Sequence, residues 1–125
     1  MNPPSMAGWN LALRFGLEVA AVAGLAVGAW KLTSGNIRWI AAIAVPSIAV
    51  AIWGVFNVLD DPSRSGAAPV EVSGVSRLAI ELLILGGSVA ALAIVGHHEI
   101  AFVLAALIAV HYITSWTRIE WLVQA

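Results

Sequence analysis

Two short runs carry the residues best suited to chemistry. They are RFGLE, Arg14 to Glu18, and RLAIE, Arg77 to Glu81. Each sets an arginine and a glutamate four apart, on one face of a helix, inside an otherwise apolar stretch. A carboxylate held away from water can carry a proton, hold a cation or orient a substrate; it can also do no more than neutralise an arginine. Arg before Glu is the weaker order for an i,i+4 pair, so pairing within each helix is a poor reason for the motif. Crossed pairing, Arg14 with Glu81 and Arg77 with Glu18, satisfies all four charges and joins the two segments. The four residues therefore read as a buried clasp, or as a site in which Glu18 and Glu81 act on protons, cations or a substrate.

Other polar residues fall near this pair. His111 lies in the last apolar stretch with Tyr112 beside it, and Ser115 and Arg118 follow at +4 and +7 on the same face. An intramembrane histidine faces the bundle interior, as a hydrogen-bonded group or a proton relay. Asn57 shares a stripe with Ser47 and Gly54, beside the kink expected at Pro46. Of the six tryptophans, most fall at helix ends as interfacial anchors; Trp53 and Trp116 are the two expected in a pocket. His97, His98 and Glu99 are adjacent and close poorly around one ion. No metal site and no cofactor is expected. The chain has no cysteine, which excludes thiol catalysis and disulfides.

The elements that must hold these residues are apolar helices. Of 125 residues, 61% are hydrophobic and 10% charged, with a mean hydropathy of +0.94; soluble domains run about 45–50% apolar and about 25% charged. The net charge of −1 offers no basic patch, so nucleic acid is not a partner. A span needs about 20 apolar residues, and within the bilayer backbone groups must pair internally. The expected fold is all-α: an integral membrane four-helix bundle forming one domain over 1–125. Its helices fall at 9–32, 37–59, 75–95 and 99–122, with a surface linker at 60–74. Short turns at Ser34-Gly35-Asn36 and at Gly96 make each pair an antiparallel hairpin.

A shift of 63 residues lays Arg14 on Arg77, Glu18 on Glu81 and Trp53 on Trp116. The two hairpins thus read as a tandem repeat related by a pseudo-twofold axis along the membrane normal. Arg14, Arg64, Arg77 and Arg118 flank the end with the termini, against Lys31 and Arg38 at the other, so both termini are expected in the cytoplasm. Gly16, Ala20, Gly24 and Gly28 form a small-residue ladder for close helix packing, within the bundle or across a homodimer. At about 200° from Gly16 and Ala20, Glu18 places the charged stripe opposite this ladder.

NLALRFGLEVAA, WGVF and SRLAIELLILG resemble the YrdB-like small bacterial membrane proteins, a family of unknown function. The likeness covers most of the chain, resting on Asn10, Arg14, Glu18, Trp53, Gly54, Arg77 and Glu81. It implies a four-helix protein of the bacterial cytoplasmic membrane and no particular activity. Three functions stay open. The leading one is binding or transport of a small apolar or cationic ligand, or an ion. A membrane enzyme using a buried glutamate as acid or base on an isoprenoid or lipid is the second. An accessory subunit is the third. The expected partners are the lipid bilayer and a second copy of the chain or another membrane protein.

Overall fold

The computed structural model describes residues 2–125. Five helices follow in order: α1 (Gly8–Leu32), α2 (Ile37–Val55), α3 (Gly74–Ile94), α4 (His98–Thr114) and α5 (Trp116–Gln124). The chain is all-α apart from a two-residue parallel pairing of β1 (Phe56–Asn57) with β2 (Val70–Glu71). α1, α2 and α3 are each long and apolar enough to cross a membrane, and α4 with α5 makes a fourth span if the bent pair is counted as one. Large apolar side chains lie on the outside of every long helix, among them Phe15, Ile43, Leu83 and Phe102. Such an outer surface suits lipid rather than water.

Two boundaries depart from the periodicity. α2 stops at Val55, because the chain turns extended at Phe56 to pair with the returning linker. The fourth apolar stretch is not one helix to residue 122; it bends by 71° between α4 and α5. The cause is local. Thr114 Oγ1 bonds to the Val110 carbonyl at 2.6 Å and Ser115 Oγ to the His111 carbonyl at 2.6 Å. These hydroxyls compete with the helix ladder at its last turn, and a new helix begins where Arg118 N–H bonds to the Ser115 carbonyl.

The core lies between α1 and α3, with Leu17, Ala21, Leu85 and Leu92 buried together and Leu104 of α4 against them. Part of the glycine ladder serves this contact. A Cβ on Gly28 would meet Ala91 Cβ at 2.7 Å, and one on Gly24 would meet Leu92 at 3.1 Å. Gly16 does not pack: a Cβ there meets nothing within 4 Å, and Ala20 is only half-buried. A four-residue step overshoots a helical turn by about 40°, so the ladder winds around α1. Gly28 ends up about 40° from Arg14, on the charged stripe's own side rather than opposite it. The closest backbone approach is elsewhere, at Gly74, where a Cβ would overlap the Leu122 carbonyl of α5. Ser73 caps α3 one residue earlier, its Oγ accepting from Ser76 N–H.

Candidate functional site

The bent α5, the start of α3, the end of α2 and the first turns of α1 converge at one end of the bundle. At their meeting point is Glu81, with none of its surface exposed. Arg118 donates to both its oxygens, from Nη2 to Oε1 at 2.6 Å and from Nη1 to Oε2 at 3.1 Å. Arg77 Nε donates to Oε1 at 3.1 Å, and Tyr112 O–H to Oε2 at 2.9 Å. Arg14 Nη1 donates to Oε2 at 3.3 Å, and its Nη2 stands 2.7 Å from Oε1 as an ion contact too bent to count as a hydrogen bond. One carboxylate thus holds three buried guanidiniums from three helices. A carboxylate accepts at about four lone-pair positions, so Glu81 is saturated.

The expected pairing is met on one side only. Arg14 reaches Glu81, but Arg77 does not reach Glu18. Its Nη1 donates instead to the carbonyls of Trp53 and Phe56, at 2.6 and 2.8 Å. These are orphan acceptors at the C-terminus of α2, where a cation is also favoured by the helix dipole. That commitment turns the Arg77 guanidinium toward its own Glu81. Glu18 is left with Arg14 Nε at 3.1 Å and Arg64 at 3.7 Å, and its side chain stays 20% exposed.

His111 is buried in the last turn of α4, next to the bend. Its Nε2 lies 3.2 Å from Arg14 Nη1. A guanidinium only donates, so Nε2 accepts and the ring proton sits on Nδ1. Trp53 is buried with the guanidiniums of Arg14, Arg77 and Arg64 5.3–5.9 Å from its ring centroid, within cation–π range. Trp116, its counterpart in the repeat, is 57% exposed on α5 and joins none of this. Asn57 is buried beside the cluster; it donates to the Gly54 carbonyl at 2.7 Å, and its Oδ1 has no partner.

The linker supplies what the spacing of apolar residues left out. Asp61 is 1% exposed and takes Arg118 on both oxygens, at 2.8 and 2.7 Å. Ser63 closes an Asx turn on Asp61 Oδ1 at 2.9 Å, which folds the linker back and brings Arg64 to the Trp53 carbonyl at 3.0 Å. Burial alone would raise the Asp61 pKa; the hydrogen bonds and charge of Arg118, with the Ser63 N–H, outweigh it and hold the carboxyl below its usual range. The signal for this residue was Asp-x-Ser at 61–63, a turn-former in the linker that carries most of the loop charge.

A cavity of about 500 Å³ opens beside the cluster, between α1, the end of α2 and the linker. Arg14, Glu18, Asn57, Ser63 and Arg64 supply its polar wall and Phe15 an apolar one. Its volume falls within the roughly 300–1,000 Å³ of ligand pockets. Arginine donors and a carboxylate around it can orient a polar group.

These features define a class: a helical protein of membrane type, built around an arginine–glutamate cluster at one end. The chain belongs to the family described as protein of unknown function (DUF2568), whose model matches residues 12–109. It is 44% identical over 115 residues to the uncharacterized protein YrdB of Bacillus subtilis (strain 168), covering 92% of this chain and 94% of that one. No solved structure matches it.

Proposed function

We propose that this chain binds a small molecule in the cavity beside Glu18 and Arg64, as a protein of the bacterial cytoplasmic membrane with four spans. The observation that carries this reading is the unequal state of the two glutamates. Glu81 is enclosed by three arginines and a tyrosine, whereas Glu18 lines an open cavity with its pairing incomplete. Glu81 is then the clasp and Glu18 the working group. The arginine excess at the linker end supports termini in the cytoplasm. The matched Arg and Glu positions support two hairpins about a pseudo-twofold. The uncovered small face at Ala12 and Gly16 is where a homodimer or membrane partner would pack.

The enzyme reading asks for an acid beside an aromatic wall, and Glu18 and Trp53 do share a second hollow. That hollow is about 90 Å³, wide enough for a short stretch of a passing chain and not for an isoprenoid to bend and react in. Binding is therefore preferred. Gly54 tests it, since it lines the large cavity and a Cβ there meets nothing within 4 Å. Gly54→Phe should fill the cavity and leave a folded protein. Mass spectrometry of denatured samples should find a small molecule released by the parent chain and missing from Gly54→Phe. Equal release from both sinks the reading.

A further inference from the structure

The charged cluster does not balance. Arg14, Arg64, Arg77 and Arg118 face Glu18, Asp61 and Glu81, and among the described residues no further carboxylate lies within ion-pair distance of these four arginines. Four cations meet three anions. A buried excess charge is costly unless a counter-ion meets it. The excess emerges at Arg64, whose closest carboxylate is the 3.7 Å contact to Glu18 and whose side chain is 26% exposed on the cavity wall. Of its five donors, one hydrogen bond is spent on the Trp53 carbonyl.

Hydrogen-bond chemistry narrows the ligand further. The Asn57 amide is oriented by the Gly54 carbonyl, which can only accept, so Oδ1 is a true acceptor. Asn57 lines the cavity at 3% exposure, and its Oδ1, shut off from solvent, has no partner. Such a group asks for a donor, and Glu18 beside it asks for the same. The ligand's polar part should carry one negative charge for Arg64 and hydroxyl donors for Asn57 and Glu18.

The apolar part follows from the shape. The large cavity shares Glu18 and Arg64 with the 90 Å³ hollow. That hollow shares Val22 and Val50 with a third, which continues along α2 to Ile43 and Pro46. Their shared lining residues set the three side by side along a crevice between α1 and α2, polar at the linker end and apolar beyond. We propose that this crevice holds a membrane amphiphile with a singly anionic, hydroxyl-bearing headgroup, of phosphoglycerol type. Its headgroup sits on Arg64, Asn57 and Glu18, and one acyl chain lies along Val22, Val50 and Pro46. This inference rests on the binding reading above and names its ligand class.

The test uses the full chain reconstituted in vesicles of equal parts phosphatidylglycerol and phosphatidylcholine with matched chains, then released in mild detergent for native mass spectrometry. Retained phosphatidylglycerol should exceed phosphatidylcholine. Arg64→Gln should cut that retention about tenfold, the worth of a charge-assisted hydrogen bond, while Arg38→Gln at the opposite end should not. Val50→Trp, filling the apolar part, should cut it as well. A soluble arm adds glycerol 3-phosphate and reads thermal stability. Stabilisation by that anion, untouched by Val50→Trp and with no lipid preference, overturns the amphiphile and leaves the binding reading standing. Equal lipid retention by the parent chain, Arg64→Gln and Val50→Trp overturns the amphiphile too; if Gly54→Phe also retains what the parent retains, the binding reading falls with it.

Discussion

Glu18 and Glu81 each follow an arginine by four residues, yet Glu18 keeps 20% of its side chain exposed and Glu81 none. The difference comes from what surrounds each motif. The second motif sits where α5 folds across the bundle and brings Arg118, and where the end of α2 engages Arg77. The first sits at the edge, with the linker alone over it. Identical residues at identical spacing thus acquire separate surroundings because the chain closes over one of them.

The largest effect should come from erasing the second glutamate. Glu81→Gln leaves three buried guanidiniums without their shared anion, and breaking a buried pair costs about 3–5 kcal/mol. Glu18→Gln, at the exposed rim, should cost about 0–1 kcal/mol. Tryptophan-detected unfolding in detergent reads both, and similar losses would dissolve the distinction between the two halves.

Next is the prop from the linker. Asp61→Asn removes a charged hydrogen-bond partner of Arg118 and should cost about 1.5–3 kcal/mol. Because the folded-state pKa of Asp61 is lowered, its contribution is present above the ordinary value of 3.8 and is lost as pH falls through the folded value. The stability gap between parent and Asp61→Asn should therefore be constant near neutrality and narrow below about pH 3.8. A gap that widens on acidification contradicts the assigned pairing.

Gly74→Ala probes the closure itself. Its Cβ would overlap the Leu122 backbone, so α3 and α5 must separate, at about 1–3 kcal/mol for an overpacked site. The counterpart one repeat earlier is Leu11, at a surface position, and Leu11→Ala should shift the melting temperature much less. The smallest contrast is between the tryptophans. Trp53→Phe weakens cation–π contacts worth about 0.5–2 kcal/mol, and Trp116→Phe should change stability by nothing measurable. Equal shifts would mean that Trp53 gains little from its three arginines.

Much of this was legible in the chain. Apolar runs divided by short polar turns mark the long helices, and the rarity of charge within them draws the eye to Arg14, Glu18, Arg77 and Glu81. The contact of Arg14 with Glu81 follows from charge alone. The Arg77 side chain escaped the same logic because its competitors are backbone carbonyls, which no residue type advertises. The break at Ser115 depends on two hydroxyls turning back on the preceding carbonyls, with no glycine or proline to signal it. Arg118 stood on the His111 face of an imagined straight helix; only the bend turns it onto Glu81 and Asp61. A ladder of four-residue steps likewise looks straight in print and winds on a real helix.

The wide spacing of Glu81's partners has a consequence for synthesis. Arg14 precedes Glu81 by 67 positions and Arg118 follows it by 37. Until that last segment has left the ribosome, Glu81 has two of its three cations and Asp61 has none. Completion of the cluster therefore waits for the emergence of a single arginine. A nascent chain arrested before Arg118 should stay open to quality-control proteases, and one arrested well beyond it should resist them.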